Sequence, residues 1–381
     1  MRIRAASGVS LNDAVLALGD GPFSFVTAHA NCFADTVLRK AHGLPDFIHG
    51  STSCLGAMTD TGKTDGVAVF AIEDAQGAYG TGMASFDTGP RAAATAATQN
   101  ALRQADRLGE QPELVWVSAT PGTEEEIVQG IEDVTGSDIP IIGGSAADNS
   151  VSGDWYVFDG KGRETEGVIV SVLFPSRPIS FAYQSGYSPT DKTGRVTSVD
   201  GRTLKEIDGK PAMDVYAEWT GYEVPLVPKG SGPEAILSAS TLWPLGREIN
   251  QLGQVPFFLL AHPAVAHESG EMEMFATVEE GEEITLMHGT KQSLVERAGR
   301  VASLARETGR LNEGPIAGAL MIYCGGCMLS VQDSIPEVVN GVNTALGSAP
   351  FLGAFTFGEQ GTLIKAGNRH GNLMISCIVF G

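Results

Sequence analysis

Three separate stretches of this 381-residue chain run through the same succession of elements, and that recurrence restricts the fold more than any single motif does. Each reads as an apolar strand, a helix, a second strand running into a glycine-bearing turn of small or polar residues, and then a long apolar strand. The turns are Gly50-Ser51-Thr52-Ser53-Cys54-Leu55-Gly56, Gly143-Gly144-Ser145-Ala146-Ala147-Asp148 and Gly353-Ala354-Phe355-Thr356-Phe357-Gly358-Glu359. A unit of roughly 55 to 65 residues used three times predicts a mixed α/β fold of repeated strand-helix-strand-strand units. Recurrence of a common supersecondary unit without duplication reads the same way. Between the second and third copies, Pro175 to about Gly289 is more irregular and rich in Pro, Gly and short alternating strands, and the whole is expected to form two lobes.

Local signals place the elements. Phe23 to His29 reads as a strand, Phe33 to His42 as a helix closed by Gly43 with Pro45 beyond it, and Gly66 to Ile72 as a strand that Gly80 to Phe86 would pair antiparallel. Pro90 opens an alanine-rich helix to about Leu108, with Asp87 and Thr88 as candidate caps. After the strand Leu114 to Ala119, Thr123 and Glu126 have capping-box spacing for a helix to about Val134. Strands follow at Trp155 to Phe158 and Gly167 to Phe174. The last copy follows a helix at Thr290 to Thr308. It reads as strand Ala317 to Tyr323, a turn at Cys324 to Cys327, helix Ser334 to Leu346, and strands Phe351 to Phe357 and Asn372 to Phe380.

Twenty-five basic against 45 acidic residues leave a net charge of -20, spread along the chain. Such a surface repels phosphate backbones and anionic membranes at long range, so neither nucleic acid nor a membrane is expected as a partner. Arg2 and Arg4 are followed by no apolar segment. The longest apolar runs, near Val255 to Ala261 and Ile316 to Tyr323, fall far short of the ~20 residues a span needs, and a cytoplasmic location is expected. The five cysteines, Cys32, Cys54, Cys324, Cys327 and Cys377, make no disulfide framework in a chain this long.

The small residues at Gly143 and Gly144 would leave backbone N–H groups free to face a ligand oxygen, or would serve a tight turn. Asp148 and Asn149 would accept from an ammonium group or cap the following turn. Glu359 at a strand end is a candidate ligand-facing carboxylate, and His370 stands just before the last strand. No phosphate-loop, zincin or hydrolase-triad spacing occurs. Cys324-Gly325-Gly326-Cys327 lies where a strand gives way to a helix, the usual setting of redox or metal-binding pairs, a structural role being the alternative. Met328 stands where haem attachment would need histidine. Cys54 is the best candidate nucleophile, but nothing in the sequence supplies its base. Cys54, Cys324 and Cys327 are therefore the candidate redox or metal ligands, and no catalytic residue is assigned.

Taken in order, the stretch Gly143 to Asp148, Trp155-Tyr156-Val157-Phe158, Ser185-Gly186-Tyr187-Ser188-Pro189, Val196-Thr197, Leu204 to Ala212 with Tyr216, Phe355 to Glu359 and His370-Gly371-Asn372 resemble the FIST family. The resemblance runs from about Phe25 to the end. It implies a sensory module with an N-terminal region, residues 20–218, and a C-terminal region, residues 219–381. It further implies a small ligand such as an amino acid, and a signal passed to a separate histidine kinase or cyclase, since no output domain accompanies these regions. Some stand-alone members bind haem and report nitric oxide. A haem, metal or redox sensor is therefore the first alternative and a cysteine-dependent hydrolase or transferase the second, an enzyme being the less expected. No cofactor is assigned as certain, with haem or a metal as candidates. The sequence departs from the family signature at Gln360 and Thr362, Gly371 splits the usual His-Asn pair, and the Cys324 to Cys327 pair is not a general family feature. If the three glycine turns converge on one cleft, amides near Gly144 and Ser145 would take a ligand carboxylate while Asp148 or Glu359 takes its ammonium. Gly143, Asn149 and His370 complete the expected ligand-binding set.

Overall fold

The computed structural model describes residues 1–33, 43–252, 255–309, 311, 314–363 and 365–381. The helix expected from Phe33 to His42 lies, but for its first residue, outside the described residues.

Three six-stranded sheets follow one plan. The first orders Arg2–Gly8, Val67–Glu73, Phe25–Ala30 and His49–Thr52, and ends in the hairpin Val157–Phe158 with Arg163–Glu164. The second orders Ala78–Ser85, Gly167–Phe174, Leu114–Ala119 and Ile141–Ser145, then Glu359–Leu363 with Gly367–Gly371. The third orders Ile179–Ser185, Met374–Phe380, Gly318–Cys324 and Phe351–Thr356, then Ala57–Thr59 with Gly62–Thr64. In each, the third and fourth strands run parallel and the other neighbours antiparallel. A parallel pair cannot be closed by a tight turn and needs a crossover, which the helices Glu124–Thr135 and Ile335–Leu346 supply in the second and third units.

The terminal hairpin of each sheet is never its own. The hairpin that follows His49–Thr52 pairs with the third sheet, the one after Ile141–Ser145 with the first, and the one after Phe351–Thr356 with the second. The exchange closes into a ring, so no unit completes its sheet alone. A further helix follows each edge strand: Leu11–Leu18, Pro90–Gln104 and Lys291–Thr308. The last of these buries Leu294, Ala298, Val301, Ala302 and Ala305 at three- and four-residue spacing, the stripe that turns one helix face to a sheet. The chain is thus a mixed α/β protein of open sheets.

In the third unit, the connection from Ile179–Ser185 to Lys291–Thr308 is expanded into a nine-stranded sheet between Ser188 and His288. Helix Ala212–Trp219 packs on it over a separate core that includes Leu204, Ile207, Met213, Tyr216, Leu245, Met272 and Ile284. The stretch that reads as irregular therefore carries a core of its own. The expected division between Glu218 and Trp219 falls at the last residue of that helix.

Several local expectations change. Strand Ala78–Ser85 pairs with Gly167–Phe174 and not with Val67–Glu73, because it opens the second unit. Helix Pro90–Gln104 starts from Gly89 with no side-chain cap, which leaves Asp87 and Thr88 in the preceding turn. Thr123 forms no capping bond either; the Gly122 N–H donates instead to Glu124 Oε1 at 3.1 Å. The Cys324 to Cys327 segment opens a short helix, Gly325–Ser330. No helix among the described residues is long and apolar enough to cross a membrane.

Candidate functional site

The three glycine turns meet, but through direct hydrogen bonds to one another and not around an open cleft between them. Cys54 N donates to Phe355 O at 3.0 Å, Ala147 N to Thr52 O at 3.1 Å, and Phe357 N to Ser145 O at 3.2 Å. Ser145 N in turn donates to Gly358 O at 2.7 Å, so that amide is already used. Gly143 and Gly144 are not turn residues. They lie in strand Ile141–Ser145, paired with Val117 and Ser118 on one side and with Gln360 and Glu359 on the other, and neither has a positive φ.

Beside this junction, a charged cluster spans the seam between the threefold core and the inserted sheet. Glu124 and Glu125 open helix Glu124–Thr135, where free N–H groups favour acidic side chains. Arg202, in the turn joining strands Ser188–Asp200 and Thr203–Ile207 of the inserted sheet, reaches both. Its Nη2 is 2.7 Å from Glu124 Oε2 and 2.6 Å from Glu125 Oε2. Thr277 N, also from the insert, donates to Glu125 Oε1 at 3.0 Å. From the core side, Ser145 Oγ donates to Glu124 Oε1 at 2.8 Å. His370 Nε2 is 3.9 Å from Glu124 Oε2, and Gln360 Nε2 lies 3.4 Å from Ser145 Oγ and 3.5 Å from His370 Nδ1. A Cβ on Gly358 would fall 2.6 Å from His370 Cε1 and 3.1 Å from Ser145 Oγ, so glycine there lets the exchanged hairpin close over the cluster.

Burial opposes ionisation of both glutamates, but His370 and Arg202 outweigh it and hold both below the usual carboxylate range, Glu125 at about 2. The side chain of Glu124 is 3% exposed, whereas Glu125 is 34% and Arg202 24% exposed, so the cluster opens to solvent on the Arg202 side.

Of the residues singled out in the sequence, Gly143, Gly144, Ser145, Glu359 and His370 come together at or behind this cluster. Asp148 and Asn149 serve elsewhere. The Asp148 carboxylate is surrounded by the N–H groups of Ser150, Val151, Ser152, Gly153 and Asp154, which offset the cost of burial and keep it ionised, and its free acceptor capacity is small. Asn149 Oδ1 accepts from Leu55 N at 2.7 Å and ties the second turn to the first. Glu359 is fully buried, hydrogen-bonded to Thr356 Oγ1 and Met374 N at 3.0 Å each, and burial pushes its carboxyl well up, toward the neutral form. Glu124, Glu125, Arg202 and Gln360 escaped the sequence reading. The three glutamates after Thr123 read only as a helix start, and nothing in the sequence spacing announces that Arg202 lies against them.

Cys54 is buried and pushed up to about 12 by burial and then by the charge of Asp148, the reverse of what a nucleophile needs. A haem would need its axial ligand beside an apolar slot. His370 is instead enclosed by Glu124, Gln360 and the Phe275 carbonyl, 3.4 Å from Nε2, surroundings that do not fit a porphyrin. Glu124, Glu125 and His370 do present ligand atoms within 4.8 Å of one another, a donor set suited to a small divalent cation.

An uncharacterized protein of Methanocaldococcus jannaschii is 41% identical over 93 residues, 24% of this chain and 18% of that relative's own length. A solved structure of cyanuric acid hydrolase from A. caulinodans aligns over 99% of this chain and 97% of its own, with a TM-score of 0.34 and 10% identity, a likeness too remote to carry an argument. Sequence models of the FIST N domain and the FIST C domain match residues 22–210 and 212–362. The chain, matched by both over most of its length, belongs to the FIST family.

Proposed function

We propose that the protein is a small-ligand sensory module whose site is the seam cluster, where an amino-acid-like zwitterion enters the ion pair between Arg202 and the two glutamates. FIST domains are generally taken as small-ligand sensory domains. The ligand carboxylate would take the Arg202 guanidinium, and its ammonium group would take Glu124 and Glu125. The observation that carries this reading is a partly exposed ion pair joining two separately cored parts of one chain. A zwitterion replaces both halves of the pair at once. A ligand with a single charge would leave one protein charge unpaired in a half-buried place, at a cost of several kcal/mol.

Entry of a molecule between Arg202 and the helix start would move the inserted sheet against the core. That displacement can shift a surface equilibrium by no more than the ligand's differential affinity for the two positions. A histidine kinase or cyclase in trans is the partner that would read it. In calorimetric titration with a panel of free amino acids, at least one is expected to bind, and Arg202→Gln and Glu125→Gln are each expected to weaken it at least tenfold without unfolding the protein. Wild-type affinity in both variants would remove the seam from consideration.

A second reading has its own observation, the ligand atoms of Glu124, Glu125 and His370 gathered within 4.8 Å. Here those three residues would hold a divalent metal that supplies fixed positive charge, with Arg202 as the competing cation. The two readings separate on one variant. Arg202→Gln is expected to strengthen zinc binding if the metal reading holds, and His370→Ala to abolish it; amino-acid binding moves the opposite way in Arg202→Gln.

A further inference from the structure

Arg297 is buried in the core of the third unit, and among the described residues no carboxylate forms an ion pair with it. Its Nη1 donates to Leu373 O at 2.7 Å, while Nε and Nη2 have no hydrogen-bond partner among the described residues. The guanidinium lies over the rings of Tyr323, 4.9 Å from the centroid, and Tyr187, at 5.9 Å. Gly186 makes room for it, since a Cβ there would stand 2.6 Å from Arg297 Cδ. A guanidinium does not give up its proton in a protein, and an uncompensated buried charge costs several kcal/mol, so an anion is required close by.

The acidic groups that face it are Cys327, Cys324, Tyr187, Tyr323 and Glu359. Burial drives Cys324, Tyr187, Tyr323 and Glu359 toward their neutral forms. Burial alone would do the same to Cys327. Its hydrogen bond with Cys324, the Arg297 charge and the Tyr187 hydroxyl, 3.3 Å from Sγ, reverse that and bring it down to about 6. The geometry singles out Cys327 as the counter-ion: the Tyr187 ring that the guanidinium overlies carries the hydroxyl 3.3 Å from Cys327 Sγ, and Cys324 stands one helical turn away at the N-cap position of the same short helix.

We infer that Cys324 and Cys327 form a two-electron redox pair in the core, in which Arg297 holds Cys327 as the attacking thiolate and a small peroxide is the oxidant. The two sulfurs are nearly inaccessible, Cys324 being 5% exposed and Cys327 not at all, which excludes a protein disulfide as the oxidant and requires one small enough to enter through a local opening of the core. The Cys327 sulfur attacks one peroxide oxygen, the O–O bond breaks, and hydroxide or alkoxide leaves and takes up a proton, giving a sulfenic acid. The Cys324 sulfur then attacks the Cys327 sulfur; the hydroxyl departs with the Cys324 proton as water, and the disulfide forms. Two thiols are oxidised and one peroxide is reduced. Oxidation also removes the negative charge that balances Arg297, so the packing of helix Lys291–Thr308 against this junction depends on the redox state. This inference does not rest on the seam cluster.

The test is exposure of the reduced full chain to hydrogen peroxide, followed by peptide mass mapping. The wild type is expected to lose two hydrogens across Cys324 and Cys327, reversibly with dithiothreitol, at a rate whose pH inflection lies well below the ~8.5 of a free thiol. Cys324→Ser is expected to stop at a sulfenic acid on Cys327, trapped by a dimedone reagent. Arg297→Met is expected to slow oxidation at pH 7 about tenfold, with the inflection moving up, and Arg297→Lys to restore part of the rate. Oxidation confined to the exposed Cys32, or a wild-type inflection above pH 8, would overturn the inference whether or not the Arg297 variants fold.

Discussion

Lowering the pH from 7 to 5 is expected to destabilise the fold, through His29 and His262 alone by about 4 kcal/mol. Three imidazoles contribute to the loss. His29 lies between Ser51 Oγ at 2.9 Å and Thr27 Oγ1 at 3.0 Å, and His49 between Ser171 Oγ at 2.9 Å and Ser118 Oγ at 3.0 Å, in the buried space around Trp116. His262 contacts Leu237 O at 2.9 Å. Burial lowers all three, His29 to about 3, His262 to about 4 and His49 well below the ordinary value, with the neighbouring His29 adding to the effect at His49. Because the folded values lie below the unfolded 6.5, the unfolded chain takes up protons first as the pH falls through 6.5. Each imidazole then costs about 1.4 kcal/mol per pH unit until its folded value is reached.

Glu359 acts in the opposite direction. Its folded value is raised above the unfolded 4.5, so it destabilises the fold at neutral pH and that penalty shrinks as the pH drops toward 4.5. His29 and His262 together lose roughly 4 kcal/mol between pH 7 and 5, His49 and the depressed Cys327 thiol add to that loss, and Glu359 offsets part of it. Urea unfolding at pH 7, 6 and 5 measures it, and His49→Asn is expected to flatten the profile. Stability that holds level or rises over this range would mean that the imidazoles charge inside the folded protein.

The threefold plan was legible because each copy carries a complete local signal. The apolar strands, the proline-started helices and the glycine-rich strand ends can each be recognised without reference to the rest of the chain. The hairpin exchange was not legible, because a two-stranded hairpin such as Ala57–Thr59 with Gly62–Thr64 reads the same whichever sheet receives it. For the same reason Ala78–Ser85 could be assigned to the wrong neighbour: alternation predicts a strand but not its partner. The candidate site divided along similar lines. His370 and Ser145 stood out because His370 stands just before a recognisable strand and Ser145 lies in a recognisable glycine turn. Arg202 did not, since a turn arginine in a chain with 25 basic residues carries no signal until the insert folds onto the core.

Gly143→Ala is expected to destabilise the protein by about 3 kcal/mol or more, and to do so through main chain that has nowhere to go. A Cβ at this position would stand 1.9 Å from the Val117 carbonyl oxygen and 2.7 Å from Val117 Cγ1. Val117 is the residue registered against Gly143 in the parallel pair, so relief by moving the strands apart would break the ladder bonds between Leu114–Ala119 and Ile141–Ser145. Movement the other way is also blocked. Gly143 is registered against Gln360 of the hairpin lent by the third unit, so the displaced strand would disturb a second unit as well. The control is Gly162→Ala, in a loop with nothing near its Cβ and no positive φ, expected to stay within about 0.5 kcal/mol of wild type. Urea denaturation of the two variants side by side checks the difference, and equal stability would mean that Ile141–Ser145 does not lie in this register. Ser145 is two residues further on, so a Gly143 variant that still folds should carry its Oγ out of line with Glu124 and lose the proposed ligand together with its stability.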